Sequence, residues 1–182
     1  QITNNGFFTI KNLIADSSVV FNILPDDNTL QLFNENIANY QVFIDDEEVT
    51  ISGTTVVAKT EQVVRVVYTA KKGYEFTESS VVFAGNGKVN APIISEDKKT
   101  LTYVWEEFVS GASLSVRAQA ALNKVTVSDV RNIFLRLSFN STNITLSGDT
   151  FLIRTGETFT VSGVMAYGYT AGNLATGQNN YV

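Results

Sequence analysis

The chain matches itself. Laid over a copy displaced by 95 residues, Val49–Tyr74 aligns without a gap on Ile144–Tyr169, and eight of the 26 positions are identical. Thr50, Ser52, Gly53, Thr55, Thr60, Val66, Gly73 and Tyr74 meet Thr145, Ser147, Gly148, Thr150, Thr155, Val161, Gly168 and Tyr169. A fixed period of this size restricts the chain to folds in which one supersecondary unit is built more than once. Outside that stretch identity fades, but the apolar residues keep step. Phe8 and Ile10 fall on Tyr103 and Trp105, and Val19, Phe21 and Ile23 on Leu114, Val116 and Ala118. Leu30 and Leu32 fall on Val125 and Val127, and Tyr40, Val42 and Ile44 on Leu135, Leu137 and Phe139. A slip of one residue would turn each set to the opposite face, so agreement across several segments marks a genuine repeat.

Each of these segments alternates apolar and polar residues, the pattern of a strand with one buried face, so Val42, Ile44, Ile51, Val64 and Val66 in one copy and Leu137, Phe139, Leu146, Phe159 and Val161 in the other are expected in the core. No segment sustains a 3.6-residue period over the roughly 10–12 residues a helix needs. The apolar residues, 44% of the chain, are mainly β-branched or aromatic, which suits a pleated and half-buried surface. Turn residues separate the segments at Pro25-Asp26-Asp27-Asn28, Asp45-Asp46, Ser52-Gly53, Lys72-Gly73, Gly85-Asn86-Gly87, Glu96-Asp97-Lys98-Lys99, Ser110-Gly111 and Ser147-Gly148. About seven short strands in each repeat is the cadence of a β-sandwich.

The period divides the chain. Residues 28–121 read as one complete β-sandwich module and residues 122–182 as a second, incomplete one. Residues 1–27 read as the closing strands of a preceding or exchanged module. The second module lacks counterparts of Leu101–Ala118, and an incomplete sandwich exposes an unpaired edge and an open core. Phe7–Leu24 has the pattern to fill that gap, so donation of strands between copies, or from a further piece of chain, is expected.

Charge and residue usage exclude several functions. The net charge is −5, and the 13 basic residues form no patch beyond the pairs Lys71-Lys72 and Lys98-Lys99. Binding to a phosphate backbone needs clustered cations, so nucleic acid is not an expected partner. Without cysteine there is neither a disulfide framework nor a thiolate metal site. Without histidine as well, the commonest general base and nucleophile pairs are missing, so the expected protein is not an enzyme and uses no cofactor. No run of about 18 apolar residues occurs, so no membrane insertion is expected.

The remaining candidate sites are modest. Asp45-Asp46-Glu47-Glu48 reads as a solvated hairpin tip, with a calcium site as the alternative, and becomes Asn140-Ser141-Thr142-Asn143 in the second copy. Gly85-Asn86-Gly87 lacks the Lys and Ser/Thr of a phosphate cradle and reads as a hairpin turn. Asn140 and Asn143 each begin a glycosylation sequon. Trp105, in line with Tyr103 and Leu101, reads as core. Tyr74 and Tyr169, each after a glycine, read as packed structural corners. Tyr167 and Tyr181, which the first copy does not share, are the candidates for stacking on a carbohydrate. Lys59, the candidate for a Lys–Asn isopeptide cross-link, is replaced by Arg154 in the second copy, which argues against one.

The string Thr69-Ala70-Lys71-Lys72-Gly73-Tyr74-Glu75-Phe76, followed by a Val-rich strand and then by Leu101–Trp105 and Ala112–Ala118, resembles bacterial immunoglobulin-like and Listeria–Bacteroides-type surface repeats. Similar modules occur in bacteriophage fibre and tail proteins. The likeness covers residues 49–118. It implies an all-β fold of tandem immunoglobulin-like β-sandwich modules with the period of 95 residues found above. It further implies a non-enzymatic structural or adhesive role on a cell surface or virion, outside the cell, as a spacer or assembly unit. The expected partners are other copies of the chain or neighbouring modules. A receptor- or carbohydrate-binding module, meeting a host-surface protein or glycan, is the alternative.

Overall fold

The alternation read from the sequence appears as strands. The structure, a computed structural model, describes residues 20, 23–127, 134–139, 144–147 and 150–169. Twelve strands come first: β1 (Asp27–Glu35), β2 (Ile37–Ile44), β3 (Glu47–Val49), β4 (Thr55–Lys59), β5 (Val64–Ala70), β6 (Tyr74–Glu75), β7 (Val81–Gly85), β8 (Lys88–Val89), β9 (Ile93–Ile94), β10 (Thr100–Glu106), β11 (Ala112–Arg117) and β12 (Gln119–Ala120). Five follow: β13 (Leu122–Thr126), β14 (Phe134–Phe139), β15 (Ile144–Ser147), β16 (Thr150–Arg154) and β17 (Val161–Met165). Apart from a single 3₁₀ turn at Glu78–Ser80, the described elements are all strands.

Two sheets enclose the main core. One has the order β4-β1-β11-β7, with β1 and β11 parallel and the other pairs antiparallel. The other has the order β3-β2-β5-β10-β8, with β9 also on β10. Leu30, Leu32, Val56, Ala58, Leu114 and Val116 face inward from the first sheet; Val42, Val64, Val66, Tyr68, Leu101, Tyr103 and Trp105 do so from the second. All belong to one cluster of buried side chains, the arrangement of a β-sandwich. Their spacing is strictly alternate: in β5 the buried residues are Val64, Val66, Tyr68 and Ala70.

Turn chemistry joins the strands. Asp45 and Asp46 both have positive φ, 51° and 67°, the mirror-image turn that matches strand twist in a two-residue hairpin between β2 and β3. Lys98 at φ 58° closes the turn into β10, where its amide donates to the Ser95 carbonyl at 2.9 Å.

Several expectations need correction. Gly85-Asn86-Gly87 is not a hairpin: it ends β7 in one sheet and starts β8 in the other, so it is a corner between sheets. At Gly85 (φ 147°) an added Cβ would lie 2.4 Å from the Ala112 Cβ, and at Gly87 (φ 116°) 2.6 Å from the Trp105 Nε1. Glycine is required at both because the chain crosses against packed atoms in a conformation other residues avoid. Pro25–Asn28 is not wholly a turn either, since β1 already begins at Asp27 and Asn28 is buried. The expected core residues Val42, Val64 and Val66 are buried, whereas Ile44 and Ile51 are half-buried.

The five later strands form a sheet β13-β16-β15 and a pair β14-β17. The β13–β16 ladder repeats β1–β4 residue for residue with 95 added: Asp27↔Lys59 becomes Leu122↔Arg154, and Gln31↔Thr55 becomes Thr126↔Thr150. The β14–β17 pair departs from that rule. Val42 opposes Val66, but Val161 is opposed by Phe139, two residues beyond the position that the constant offset implies. An even shift keeps every side chain on its face, so the alternation cannot report it. Phe151 and Ile153 are buried, and Phe159 packs on Phe151 with ring centroids 4.8 Å apart. Val161, expected in the core, is 41% exposed, whereas Val66 is fully buried. Val66 lies between β2 and β10 and shares one buried cluster with Leu114 and Val116; among the described residues, β17 pairs with β14 alone and has no counterpart of β10 beside it. Leu137, Phe139 and Leu146 were also expected in the core; their side chains lie outside the described residues, as do the supposed closing strands over residues 7–19 and 21–22.

Candidate functional site

The acidic hairpin is spoken for by local bonds. Asp45 accepts from the Val63 amide through Oδ1 and from Gln62 Nε2 through Oδ2, at 2.9 and 3.0 Å. Asp46 pairs with Arg65 at 3.1 Å, and Glu48 accepts from Gln41. Arg65 also lies 3.9 Å above the Phe43 ring, a cation–π contact. The carboxylates therefore point to separate partners, and among the described residues no three metal-ligating side chains converge. Lys59 is exposed and paired with Asp27 at 2.9 Å, with no apolar surroundings of the kind an isopeptide lysine needs.

Trp105 is fully buried. It stacks on Phe108 with centroids 3.8 Å apart and donates from Nε1 to the Asn86 carbonyl at 2.8 Å. It is core, and it anchors the corner between sheets. Tyr68 and Tyr103 are buried with no hydrogen-bond partner for either hydroxyl among the described residues. Burial raises the pKa of both phenols, with Tyr40 and Tyr103 adding to the effect at Tyr68. At the surface the Lys88 ammonium bonds to Glu106 at 2.8 Å, which lowers the carboxyl pKa and raises that of the amine. The Asp97 carboxylate is lowered by the Ser95 hydroxyl and the Lys99 amide.

Of the two tyrosines offered as glycan platforms, Tyr167 is completely exposed on the turn after β17, and Tyr181 lies outside the described residues. The surface depressions beside Phe76, Thr77 and Ile94 and beside Asp45, Val63 and Val104 are open and shallow. Tyr74 is half-buried against the core, and the ammonium of Lys99 donates to its backbone carbonyl at 2.7 Å.

The most developed constellation lies where the twelve strands meet the five. β12 pairs with β6, placing Ala120 opposite Tyr74, and the Ala121 amide donates to the Gly73 carbonyl at 2.9 Å. The Ala121 carbonyl accepts from the Thr155 amide at 3.0 Å and from Asn123 Nδ2 at 3.3 Å. Asn123 Nδ2 also reaches the Thr155 hydroxyl at 3.0 Å. Gly73 (φ 83°) is so close that an added Cβ would stand 2.7 Å from the Thr155 Cγ2. Thr155 thus sits on the Gly73-Tyr74 turn, and backbone bonds tie both to Ala121.

The Asn–Thr corner in this joint occurs twice. The Thr60 amide donates to the Asp26 carbonyl at 3.0 Å, and Asn28 Nδ2 reaches that carbonyl at 3.1 Å and the Thr60 hydroxyl at 3.0 Å. The following turn is duplicated too. The Lys59 amide is capped by Gln62 Oε1 at 2.9 Å and the Arg154 amide by Glu157 Oε2 at 3.0 Å. The self-match marked Thr60/Thr155 and Gly73/Gly168 as equivalent but gave no sign that a threonine of one unit rests on a glycine of the other.

No protein-family model matches the chain, and no curated protein or solved structure does so either.

Proposed function

We propose that this chain is a non-enzymatic structural or adhesive segment of a surface or virion fibre, in which immunoglobulin-like modules with a period of 95 residues stand in a row as spacers or assembly units. The observation that carries this reading is the duplicated ladder: β13–β16 keeps the register of β1–β4 at a constant offset of 95, together with the same Asn–Thr corner and the same capped turn. A repeated unit joined to its neighbour by backbone bonds sets length and direction, which is the task of a spacer. The short link from β12 into β13 leaves little chain in which the two units could swivel. Such a segment would act outside the cell, with other copies of the chain or neighbouring modules as its partners.

Small-angle scattering tests this reading. The chain should scatter as an elongated particle of fixed length, and the variant Gly73→Val, which places side-chain atoms where Thr155 sits, should broaden the distribution of lengths. A single globule, or a distribution that the substitution leaves unchanged, contradicts it. One observation favours recognition as a second reading: the complete exposure of Tyr167. A glycan array on which binding occurs and is lost in Tyr167→Ala would favour that reading instead.

A further inference from the structure

The joint has one half occupied and the same half open elsewhere in the chain. Gly73 and Gly168 occupy equivalent positions with φ values of 83° and 89°. Gly73 is covered by Thr155, while among the described residues an added Cβ at Gly168 would meet nothing within 4 Å. Tyr74 is half-buried, and its counterpart Tyr169 is 55% exposed. The complementary half, the corner of Asp26, Asn28 and Thr60, is built like the Ala121–Asn123–Thr155 corner that caps Gly73. We infer that the Gly168-Tyr169 turn is a docking surface for the Asp26–Asn28–Thr60 corner of a second copy, so that copies associate head to tail in the geometry of the internal joint. The inference rests on the reading of the chain as a row of repeated units, and it is a continuation of the contact already made inside the chain.

Pro25 fits this arrangement. Its counterpart is Ala120, which lies opposite Tyr74 in the β6–β12 ladder. Because the neighbouring Ala121 amide is the one that bonds to Gly73, antiparallel alternation turns the Ala120 amide away from β6. A proline at that position therefore removes no bond from the ladder. A head-to-tail contact of this type is heterologous, and it builds a line unless its rotation happens to close a ring.

The absence of cysteine makes disulfide trapping a clean test. Within one chain, the Cβ added at Gly73 would be 3.3 Å from the Thr155 Cβ, close to the separation a disulfide spans, so Gly73→Cys/Thr155→Cys should cross-link internally. Between chains, single variants Thr60→Cys and Gly168→Cys are mixed in equal amounts, oxidised, and mapped by mass spectrometry. The inference expects mixed dimers well beyond the statistical share, suppressed by excess unmodified chain. Dimers in statistical proportion, or none, from folded protein overturn it. Should cysteine at the positive φ of Gly168 unfold the chain by circular dichroism, the pair Pro25→Cys and Tyr169→Cys decides in the same way. If the internal cross-link forms and the one between chains does not, only the docking inference fails. If the internal one also fails, the row of units fails with it.

Discussion

Asn28 and Asn123 share two bonds 95 residues apart: each side-chain amide donates to the carbonyl two residues earlier and to the hydroxyl of a threonine 32 residues later, the latter at 3.0 Å in both. Asn28 is 3% exposed, so its bonds are made away from water. Replacing it with Ala leaves the Thr60 hydroxyl one partner short. Asn28→Ala should cost about 1–2 kcal/mol in denaturant unfolding. A loss near zero would show that the corner is not a stabilising feature.

The corner between sheets should be intolerant of any side chain. Gly87→Ala puts a methyl group against the Trp105 Nε1, the atom that bonds to Asn86, in a positive-φ conformation. We expect a loss of roughly 2–4 kcal/mol, from backbone strain together with displacement of the indole. Fluorescence reads this out directly, because Trp105 is the sole tryptophan and is fully buried. The variant should emit further to the red than the parent. An unchanged spectrum and midpoint would mean that the corner yields freely.

Much of the fold was legible in the residues, and the gaps have physical causes. Period-two alternation located the buried faces of β5 and β10, and Asp45-Asp46 announced a turn needing positive φ. Gly85-Asn86-Gly87 supplied the correct backbone freedom but not the destination of the next strand, since a glycine-rich turn serves a hairpin and a sheet-to-sheet corner equally well. The parallel pairing of β1 with β11 joins residues about eighty apart in sequence, and local pattern carries no signal for it. The two-residue offset of β14 preserves the faces and so leaves the alternation unaltered. The joint at Gly73 was visible only as conserved identity between the two copies, because a self-match reports equivalence rather than contact.

The hydroxyls of Tyr68 and Tyr103 should be dispensable. Each is buried without a partner among the described residues, and such a group contributes an unrecovered desolvation cost. Tyr68→Phe and Tyr103→Phe should each be neutral or stabilising, by up to about 1 kcal/mol. A loss above that size in thermal or denaturant unfolding would indicate that an internal water serves these groups.

The acid limb of stability should report on Glu106. Its bond to Lys88 holds the folded pKa below the ordinary carboxylate value, so the contribution is complete above that value and is lost as pH falls through the folded one. Lys88, raised by the same bond, contributes below the ordinary lysine value and loses that contribution as pH rises through its folded pKa. Melting temperatures followed from neutral pH to about pH 2 should fall less steeply in Glu106→Gln than in the parent, starting above the ordinary carboxylate pKa of about 4.3. Coincident profiles would remove the pair from the account, and added salt should shrink the difference because both groups are solvated.

The β1–β4 ladder recurs as β13–β16 at a constant offset of 95, and cross-strand nuclear Overhauser contacts in the isotopically labelled chain can read both ladders pair by pair. The ladder Asn28↔Ala58, Thr29↔Val57, Leu30↔Val56 and the ladder Asn123↔Ile153, Lys124↔Leu152, Val125↔Phe151 should give the same sequence of strong and weak contacts, pair for pair. Matching patterns at an offset of 95 are the predicted result. A second ladder displaced in register from the first, or the lack of contacts between β13 and β16, would contradict it.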